Sequence, residues 1–516
     1  MRKIVILDLS KDIDLNKKNS IIFQLSYGTC HLENCEIIKK NFFTDKKLEL
    51  FKSQLNKSLL NFYKLMKKKS NSIEILTLEL FNQRNDKNQL FNKIFNITEI
   101  INYSKNKKIS NIEIVTDDEY FYETYKSIKN INININNIST LKTKKNFIGY
   151  FLSTLKFHLK ALVLVIFSKI IATNKIKIKK ASEVCLSIFP LFYKKDKESF
   201  FNKNYLKLNF LMTDETHLGN SLQKSISDLF KVKKMNNTLS AESLISFSSI
   251  IQNFFKSLSN YYLIQRSNKF TFIINGINCS MQFRNLFYMS LHNYNKLNIY
   301  KKDLKKFFMN EKIKKFHYYL FEYNFGYFLS SIIKNTSPNC VLVGYQHGIY
   351  SERLMWQNLS KKISFTNFFP NKINCKYRFS LNAYKKNFKN IKITYKKWEN
   401  KTEKTKKNKP ASDQFIVYLG LHDSYNMINE LRNYNKNYKF IVNLHPKMKY
   451  KNKLNLNNNI KINSKSIEVK NKKKLLSSTS TMPYQLYLKE KFNIVVPNNI
   501  IPLNPKSLDK FIFKSK

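Results

Sequence analysis

Phe415-Ile-Val-Tyr-Leu419 and Phe440-Ile-Val-Asn-Leu444 are two short runs of apolar, aromatic and β-branched residues. Both have the length and composition of buried strands, and residues 424–434 between them have the pattern of a helix. The alternation continues with a strand at residues 474–478, a helix at 483–488 and a strand at 493–497. Because strands that alternate with helices form parallel sheets covered by helices, residues 412–516 are predicted to be an α/β domain.

The same alternation extends toward the N-terminus. Further strands are predicted at residues 4–9, 73–78, 112–116, 131–138, 184–188, 208–212, 270–274 and 340–345, with 131–138 at a sheet edge. Helices are predicted at residues 90–103, 239–263 and 311–334. The chain has 516 residues, which is enough for about three domains. The sequence therefore predicts an α/β protein with parallel sheets throughout.

Composition shifts suggest where these domains meet. We expect an N-terminal α/β domain at 1–145, a basic amphipathic helical segment at 146–180 and a Rossmann-like domain at 181–396. The polar, lysine-rich segment 397–411, which contains Pro410, is predicted to be a linker to the last domain.

The most apolar run of the chain is Ala161-Leu-Val-Leu-Val-Ile-Phe-Ser-Lys-Ile-Ile-Ala172. A spanning helix would need the longer segment 147–172, which Lys156, His158, Lys160 and Lys169 interrupt, so a membrane-spanning helix is the least favoured interpretation. Two interpretations stay open: a helix that lies on an anionic membrane surface, and a buried helix between domains.

Basic residues exceed acidic residues by 56 (91 minus 35), and nearly all of them are lysine. Proteins that recognise guanine bases and phosphates favour arginine, whose guanidinium group forms two parallel hydrogen bonds. Nucleic acid is therefore not an expected partner of this lysine-rich chain. Attraction to an anionic membrane or to anionic substrates fits lysine better.

The six cysteines form no CxxC pair, and the first apolar run is too short for a signal peptide. We therefore expect a cytoplasmic protein, with peripheral association with the inner face of the cell membrane left open.

Val341-Leu-Val-Gly-Tyr-Gln-His-Gly348 is a buried strand that runs into a turn. Gly348 permits a tight turn, which would direct His347 into a cleft that Gln346 and Gly348 help to line. An imidazole with a pKa near neutrality can take a proton from a hydroxyl group, so His347 is a candidate general base. Glu322, in the preceding helical pattern, is a candidate second acid or base; a surface glutamate is the plain alternative.

Two further motifs follow predicted strands near the C-terminus. His445 comes directly after the strand at 440–444, where an imidazole can donate to a phosphate. The segment Leu475-Leu-Ser-Ser-Thr-Ser-Thr-Met-Pro-Tyr484 leads from a strand into a helix. Its free N–H groups and the hydroxyls of Ser478, Ser480 and Thr481 are candidate phosphate ligands. An ordinary helix cap is the alternative interpretation.

The order of these motifs resembles bacterial GT-B glycosyltransferases of surface and capsular polysaccharide biosynthesis. Within that group it is similar to proteins related to CDP-glycerol glycerophosphotransferases and polysialyltransferases, over roughly the C-terminal third of the chain, from Glu322 onward. The resemblance implies two Rossmann-like domains in a GT-B arrangement, joined by the linker, with the N-terminal domain as an addition. It also implies that His347 is the base and that His445 with the 478–481 turn holds the donor phosphate.

The same resemblance implies a nucleotide-sugar donor, a lipid-linked or polysaccharide acceptor, no cofactor and no metal. In the family an acidic residue contacts the donor ribose, and Gln485 occupies that place here. The acidic pairs Asp12/Asp14 and Asp117/Asp118 are weaker candidates for a metal-nucleotide site. A non-catalytic membrane-surface scaffold of the same fold remains the alternative from another functional class.

Overall fold

The structure of the protein is a computed structural model. It describes residues 3–26, 30–38, 40–67, 90–128, 132–138, 147–171, 182–186, 205–212, 221–235, 237–320, 324–346, 350–353, 369–395, 414–420, 424–432, 437–445, 458–463, 473–480, 492–497 and 500–512.

The N-terminal region contains a five-stranded parallel sheet and a small two-stranded one. In chain order the strands are β1 Lys3–Asp8, β2 Asn16–Lys18, β3 Ser20–Gln24, β4 His31–Glu33, β5 Glu36–Ile37, β6 Asn111–Thr116 and β7 Asn132–Asn137. The large sheet has the order β5-β3-β1-β6-β7, and β2 pairs with β4. The helices described here are α1 Asp45–Lys67, α2 Leu90–Asn106 and α3 Glu119–Lys126.

The middle region contains a seven-stranded parallel sheet. Its strands are β8 Glu183–Leu186, β9 Leu206–Asn209, β10 Thr238–Ser240, β13 Lys315–Tyr319, β14 Val341–Tyr345, β15 Lys372–Cys375 and β16 Lys392–Tyr395; β11 Ile273–Ile274 and β12 Ile277–Asn278 form a separate hairpin. The sheet order is β10-β9-β8-β13-β14-β15-β16. The helices are α4 Phe147–Ile171, α5 Leu222–Lys233, α6 Phe247–Ser259, α7 Tyr261–Ser267, α8 Ser280–Asn298, α9 Lys301–Asn310, α10 Asn324–Thr336 and α11 Arg378–Asn387, with a 3-10 turn at Ala241–Leu244.

The C-terminal region contains a second five-stranded parallel sheet. Its strands are β17 Gln414–Tyr418, β18 Lys439–Asn443, β19 Ile460–Asn463, β20 Lys473–Ser477 and β21 Phe492–Val495, in the order β19-β18-β17-β20-β21. The helix α12 Ser424–Arg432 follows β17, and a 3-10 helix, Lys506–Phe511, lies near the C-terminus.

All three large sheets are built in the same way. In each, the first strand lies inside the sheet, the chain adds strands on one side, and it then crosses over to add the rest on the other side. The strand order therefore reverses between β1 and β6, between β8 and β13, and between β17 and β20. In open α/β sheets, ligands bind outside the carboxyl ends of the strands at such a reversal. The fold thus offers three candidate crevices.

The strands are buried because each sheet is covered on both faces. Ile4, Val5, Ile6 and Leu7 of β1 are all inaccessible to solvent, which explains why the strand is a continuous apolar run instead of an alternating one. One hydrophobic core runs from the first sheet through the second, and smaller clusters cover the third. The α/β class and the parallel sheets predicted from the sequence are confirmed.

Two local predictions are wrong. Residues 311–334 were expected to be one helix, but β13 interrupts them and only α10 follows. The aromatic run of β13 shows no simple alternation because the strand lies inside the sheet, between β8 and β14. The strand expected at 270–274 is reduced to the short β11 of a hairpin. The predicted elements at 73–78 and 483–488 and the linker at 397–411 lie outside the described residues.

One buried guanidinium joins the three regions. Arg353 follows β14, and its Nη1 and Nη2 donate to both carboxylate oxygens of Asp509, at 2.7 and 2.5 Å. Its Nε donates to Oδ1 of Asp45, the first residue of α1, at 3.1 Å. The guanidinium also lies over the ring of Phe43, at 4.9 Å from its centroid. Arg353 therefore connects the second sheet to the first region and to the C-terminal 3-10 helix.

The electrostatics of this junction favour the charged pair. Burial alone would raise the pKa of Asp45, but the hydrogen bond and the charge of Arg353 outweigh it and hold that pKa below its usual value. The Arg353 side chain is only 3% exposed, so removing it would leave a cavity and two carboxylates without their main partner.

Replacing Arg353 by alanine is expected to lower the free energy of unfolding by about 3 kcal/mol, as the loss of one partner of a buried ion pair does. Arg353→Lys should recover little, because an ammonium group cannot form the two-pronged contact. Urea unfolding measures both. The exposed Arg378 provides the control: Arg378→Ala should change stability by less than about 0.5 kcal/mol. Equal effects of the two alanine variants would contradict the proposed junction.

Candidate functional site

The carboxyl edge of the third sheet brings three loops together. The strands β18, β17 and β20 are neighbours in that order. His445, Gly420 and Thr479 each stand two residues beyond the end of their strand. Since the carboxyl ends of parallel strands lie at the same edge, these residues flank the point where the strand order reverses. The sequence singled out His445, and the structure adds Gly420 and Thr479.

Gly420 lies against the turn that follows β20. A Cβ atom at this position would come within 2.9 Å of the Ser477 hydroxyl and within 2.9 Å of the Thr479 backbone. The N–H of Leu419 donates to the Asn443 carbonyl at 3.1 Å and fixes this loop to β18. The Ser424 hydroxyl donates to the Gly420 carbonyl at the start of α12. Only glycine fits here without a shift of the backbone.

The Ser/Thr turn is closed by its own hydrogen bonds in the part that is described. The N–H of Thr479 donates to Ser477 Oγ at 3.2 Å, and the N–H of Ser480 donates to the Ser477 carbonyl at 3.0 Å. The N–H of Ser478 donates to Val495 on the neighbouring strand at 3.2 Å. Ser478 and Ser480 are both buried. The half-exposed hydroxyl of this turn is that of Thr479.

In the second sheet, the residues on either side of positions 347–349, after β14, are also held by side-chain hydrogen bonds. Gln346 is buried, and its side-chain oxygen accepts from the N–H groups of Lys376 and Tyr377 at 3.0 and 3.3 Å. Its amide nitrogen donates to Ser380 Oγ at 2.9 Å. Gln346 was expected to line a cleft, but its side chain is buried and fixes the chain at the end of β14 from inside the protein.

Tyr350, the first described residue after positions 347–349, is held by the same serine. Ser380 Oγ donates to the Tyr350 carbonyl at 3.2 Å. The Tyr350 ring stacks on Tyr384 with their centroids 3.9 Å apart, and the Ser351 hydroxyl donates to the Leu503 carbonyl at 2.7 Å. Ser380 therefore bridges the residues on both sides of positions 347–349.

The residues that hold Gln346 lie next to the third sheet. Tyr377, whose N–H bonds to Gln346, packs in one cluster with Leu476 of β20, beside Tyr418 of β17. The carboxyl end of β15 thus abuts the third sheet close to its strand-order reversal. Lys376 adds a cation at this point, and burial lowers its pKa from the usual lysine value. The sequence offered no signal for Lys376, because lysine is so frequent in this chain.

Several predicted site residues lie outside the described part of the chain. These are Glu322, His347, Gly348, Thr481 and Gln485. Among the residues predicted to bind the donor phosphate, His445, Ser478 and Ser480 are described, and they lie at one edge of the third sheet. The segment 213–217 is also outside the described residues.

The acidic residues Asp117 and Asp118 have local structural roles. Asp117 accepts from the N–H and hydroxyl of Ser10, at 2.8 and 2.6 Å. Asp118 caps α3 by accepting from the N–H groups of Tyr120 and Phe121. Within the residues that the structure describes, no three His, Cys, Asp or Glu side chains are grouped as metal ligands.

A buried histidine in the second sheet was not predicted. Nε2 of His317 contacts the Glu183 carboxylate at 2.8 Å, and Nδ1 contacts the Tyr345 hydroxyl at 3.1 Å. The Tyr205 ring stacks on the imidazole with centroids 4.6 Å apart. Burial lowers the pKa of His317, although Glu183 opposes this effect. His317 lies in the middle of β13 and not at its end, which favours a structural role.

No family model matches the chain, and neither a curated protein nor a solved structure was found to be similar to it.

Gly420→Ala is expected to weaken any ligand bound at the third sheet and to destabilise the fold by about 2 kcal/mol, since the new methyl group overlaps the turn after β20. Thermal unfolding with and without ligand measures both effects. Gly149→Ala, on an exposed face of α4, is the control and should not destabilise the protein. A Gly420→Ala variant as stable as the parent would contradict the close approach of the two turns.

Proposed function

We propose that the protein is a glycosyltransferase that moves a sugar from a nucleotide-activated donor to a surface-polysaccharide acceptor. The strand-order reversal between β17 and β20 is the observation that carries the proposal, because Gly420 and the Ser477–Ser480 turn meet there and His445 lies beside them. Such a reversal, with a glycine after its first strand, is suited to nucleotide phosphates.

The donor would bind at the third sheet. Gly420 brings the loop after β17 into contact with the Ser477–Ser480 turn, and a hydroxyl such as that of Thr479 can donate to a phosphate bound at this point. His445 can donate to the same phosphate and stabilise the negative charge that grows as the nucleotide leaves. Thr481 and Gln485 follow this turn in the sequence and are the next candidates for the phosphate and the ribose.

The acceptor would bind at the second sheet. His347 stands between Gln346 and Tyr350, whose positions are fixed through Ser380. Fixed residues on both sides of His347 would hold the base at a defined distance from the donor. Tyr377 and Lys376 connect these residues to the third sheet. Glu322 would assist His347 as a second acid or base.

The chemistry needs one proton transfer and one substitution. The neutral imidazole of His347 takes the proton of an acceptor hydroxyl, and the oxygen forms a bond to the anomeric carbon of the donor. The bond from that carbon to the phosphate oxygen breaks, and its electron pair leaves with the nucleotide. Hydrogen-bond donors of the protein around the phosphate stabilise the negative charge on the departing nucleotide, so the scheme includes neither a metal nor a cofactor. We place the reaction on the cytoplasmic side of the cell membrane.

The rival proposal is a scaffold that binds surfaces without catalysing a reaction. It shares the fold and the positive charge but requires no ordered turn beside a glycine at the sheet edge. The fixed residues on both sides of positions 347–349 and the close contact at Gly420 favour the enzyme.

A nucleotide-linked donor should raise the melting temperature of the protein, because it binds the folded state alone. The screen uses CMP-, CDP-, UDP- and GDP-linked sugars. His445→Ala should raise the dissociation constant of the stabilising donor about tenfold, since one charged hydrogen bond is lost. His31→Ala, at an exposed histidine, should leave it unchanged. If none of the donors stabilises the protein, the transferase proposal fails and the scaffold is favoured.

His347→Ala separates catalysis from binding. The variant should fold and bind the donor like the parent but form polymer at a rate lower by a factor of about 100 or more, because the acceptor hydroxyl keeps its proton. Radiolabelled sugar incorporation measures the rate. Unchanged incorporation by His347→Ala would exclude His347 as the base.

A further inference from the structure

The helix α4 carries several polar residues toward the protein. Its buried positions include Tyr150, Thr154, His158 and Ser168, together with Ala161, Leu164, Val165 and Ile171. In a helix on the surface of a protein in water, the polar residues normally face outward. Thr154, His158 and Ser168 are thus turned away from the solvent, and the polar residues exposed on α4 are Ser153, Lys156 and Lys169.

The outer face of α4 is strongly apolar along its whole length. Its exposed large side chains are those of Phe147, Ile148, Leu152, Leu159, Leu162, Ile166, Phe167 and Ile170. A single exposed apolar residue needs no explanation, but a contiguous row of them marks a surface that is covered by something else.

The helix α6 extends this surface. Phe247, Ile251 and Phe255 are exposed on it, while Ser249, Asn253 and Ser257 are buried. The two helices pack together through Phe254, whose ring contacts those of Phe151 and His158 at 6.2 and 5.3 Å between centroids. We call the joint exposed face of α4 and α6 the apolar platform.

Hydrogen bonds hold the platform onto the protein. The Tyr150 hydroxyl donates to the Ser257 carbonyl at 2.8 Å and accepts from the Asn295 amide at 2.6 Å. The Asn253 amide lies 3.1 Å from Nε2 of His158 and donates to the Asn295 carbonyl at 3.0 Å. Helices that contact lipid have the same arrangement: their polar side chains bond to the rest of the protein, and their apolar side chains face the lipid.

The charges around the platform select the kind of lipid. Lys156, Lys169 and Lys256 are exposed on the two helices, and the Lys169 ammonium lies 5.3 Å above the Phe247 ring. The neighbouring helix α5 adds the exposed side chains of Lys233 and Lys234. Each lysine near an anionic bilayer contributes about 1 kcal/mol of attraction. A protein partner would need an acidic rim to gain from these cations, whereas an anionic bilayer presents negative charge over its whole surface.

The burial pattern also fixes the orientation. By length and composition α4 could cross a membrane, as many buried core helices could. Yet buried residues recur from Tyr150 to Ile171, so the protein body lies along the whole helix. A helix held in this way can enter the bilayer only sideways.

We propose that the apolar platform docks on an anionic phospholipid bilayer, with the axes of α4 and α6 in the membrane plane. The platform is separate from the sheet edges described above, so this surface stands whether or not the protein transfers sugars.

The test is sedimentation of the full-length protein with vesicles of phosphatidylcholine that contain about one-third phosphatidylglycerol. The parent protein should bind these vesicles, and bind pure phosphatidylcholine about tenfold more weakly. The variant Ile148→Ser/Ile170→Ser/Phe255→Ser removes side chains that are 64%, 66% and 64% exposed, so its fold should persist. It should bind about tenfold more weakly or worse, because it has less apolar area to bury in the bilayer.

Leu50→Ser/Met309→Ser is the matched control, since these side chains are 60% and 63% exposed but lie outside the platform. It should bind like the parent. Parent protein that stays in the supernatant with anionic vesicles, or a platform variant that binds as well as the control, would overturn the proposal. Equal binding to both vesicle types would refute the role of the lysines. If the parent protein self-associates but does not bind vesicles, and the platform variant does not self-associate, the platform is covered by a second copy of the chain and not by a bilayer.

Discussion

The arrangement of the molecule depends on the burial of one arginine. Arg353 leaves the second sheet just beyond positions 347–349 and contacts a carboxylate from each of the other two regions. A lysine could not satisfy both, and the chain, which uses lysine almost everywhere else, has arginine here. Because Arg353 is anchored by Asp509, the segment that follows the third sheet is tied to the second sheet shortly after positions 347–349.

Within that frame the three sheets repeat one topology, but they differ at their carboxyl edges. In the first sheet Asp8 is fully buried, and its carboxylate contacts Lys93, Tyr125 and Ser26, so this edge is filled by its own side chains. The third sheet instead has glycine and small hydroxyl residues at its reversal point. At the third sheet the two loops pack against each other and present backbone and hydroxyl groups that can contact a phosphate, whereas the buried carboxylate of the first sheet would repel one. This difference favours the third sheet as the proposed donor site.

The sequence predicted the fold class well because buried parallel strands are short apolar runs that are easy to recognise. It failed at β13, where aromatic residues fit a strand and a helix equally, and it missed β15, β16 and β19, which have four residues each. It also missed β3, although the Ile-Ile-Phe run of that strand is buried. It found His445 because a histidine directly after a strand is conspicuous. It missed Gly420, whose importance comes from β20 lying beside β17, a neighbour more than fifty residues away in the chain. It also could not show that Gln346 faces inward, since its partners Lys376 and Ser380 come from another strand end.

The polarity of α4 was equally hidden, because composition gives the number of apolar residues and not the side on which they lie. Only the packing against α6 and α8 shows that the serine, threonine and histidine side chains face the protein. A donor pocket at a sheet edge and a lipid-facing platform would together suit an enzyme that works on an acceptor held at a membrane.

The most direct test of the central claim is a crystal structure of the protein with a nucleoside diphosphate. The account predicts density for the diphosphate against Gly420 and the Ser477–Ser480 turn, within hydrogen-bond distance of His445. A diphosphate bound at the first or the second sheet, with the edge between β17 and β20 empty, would contradict it.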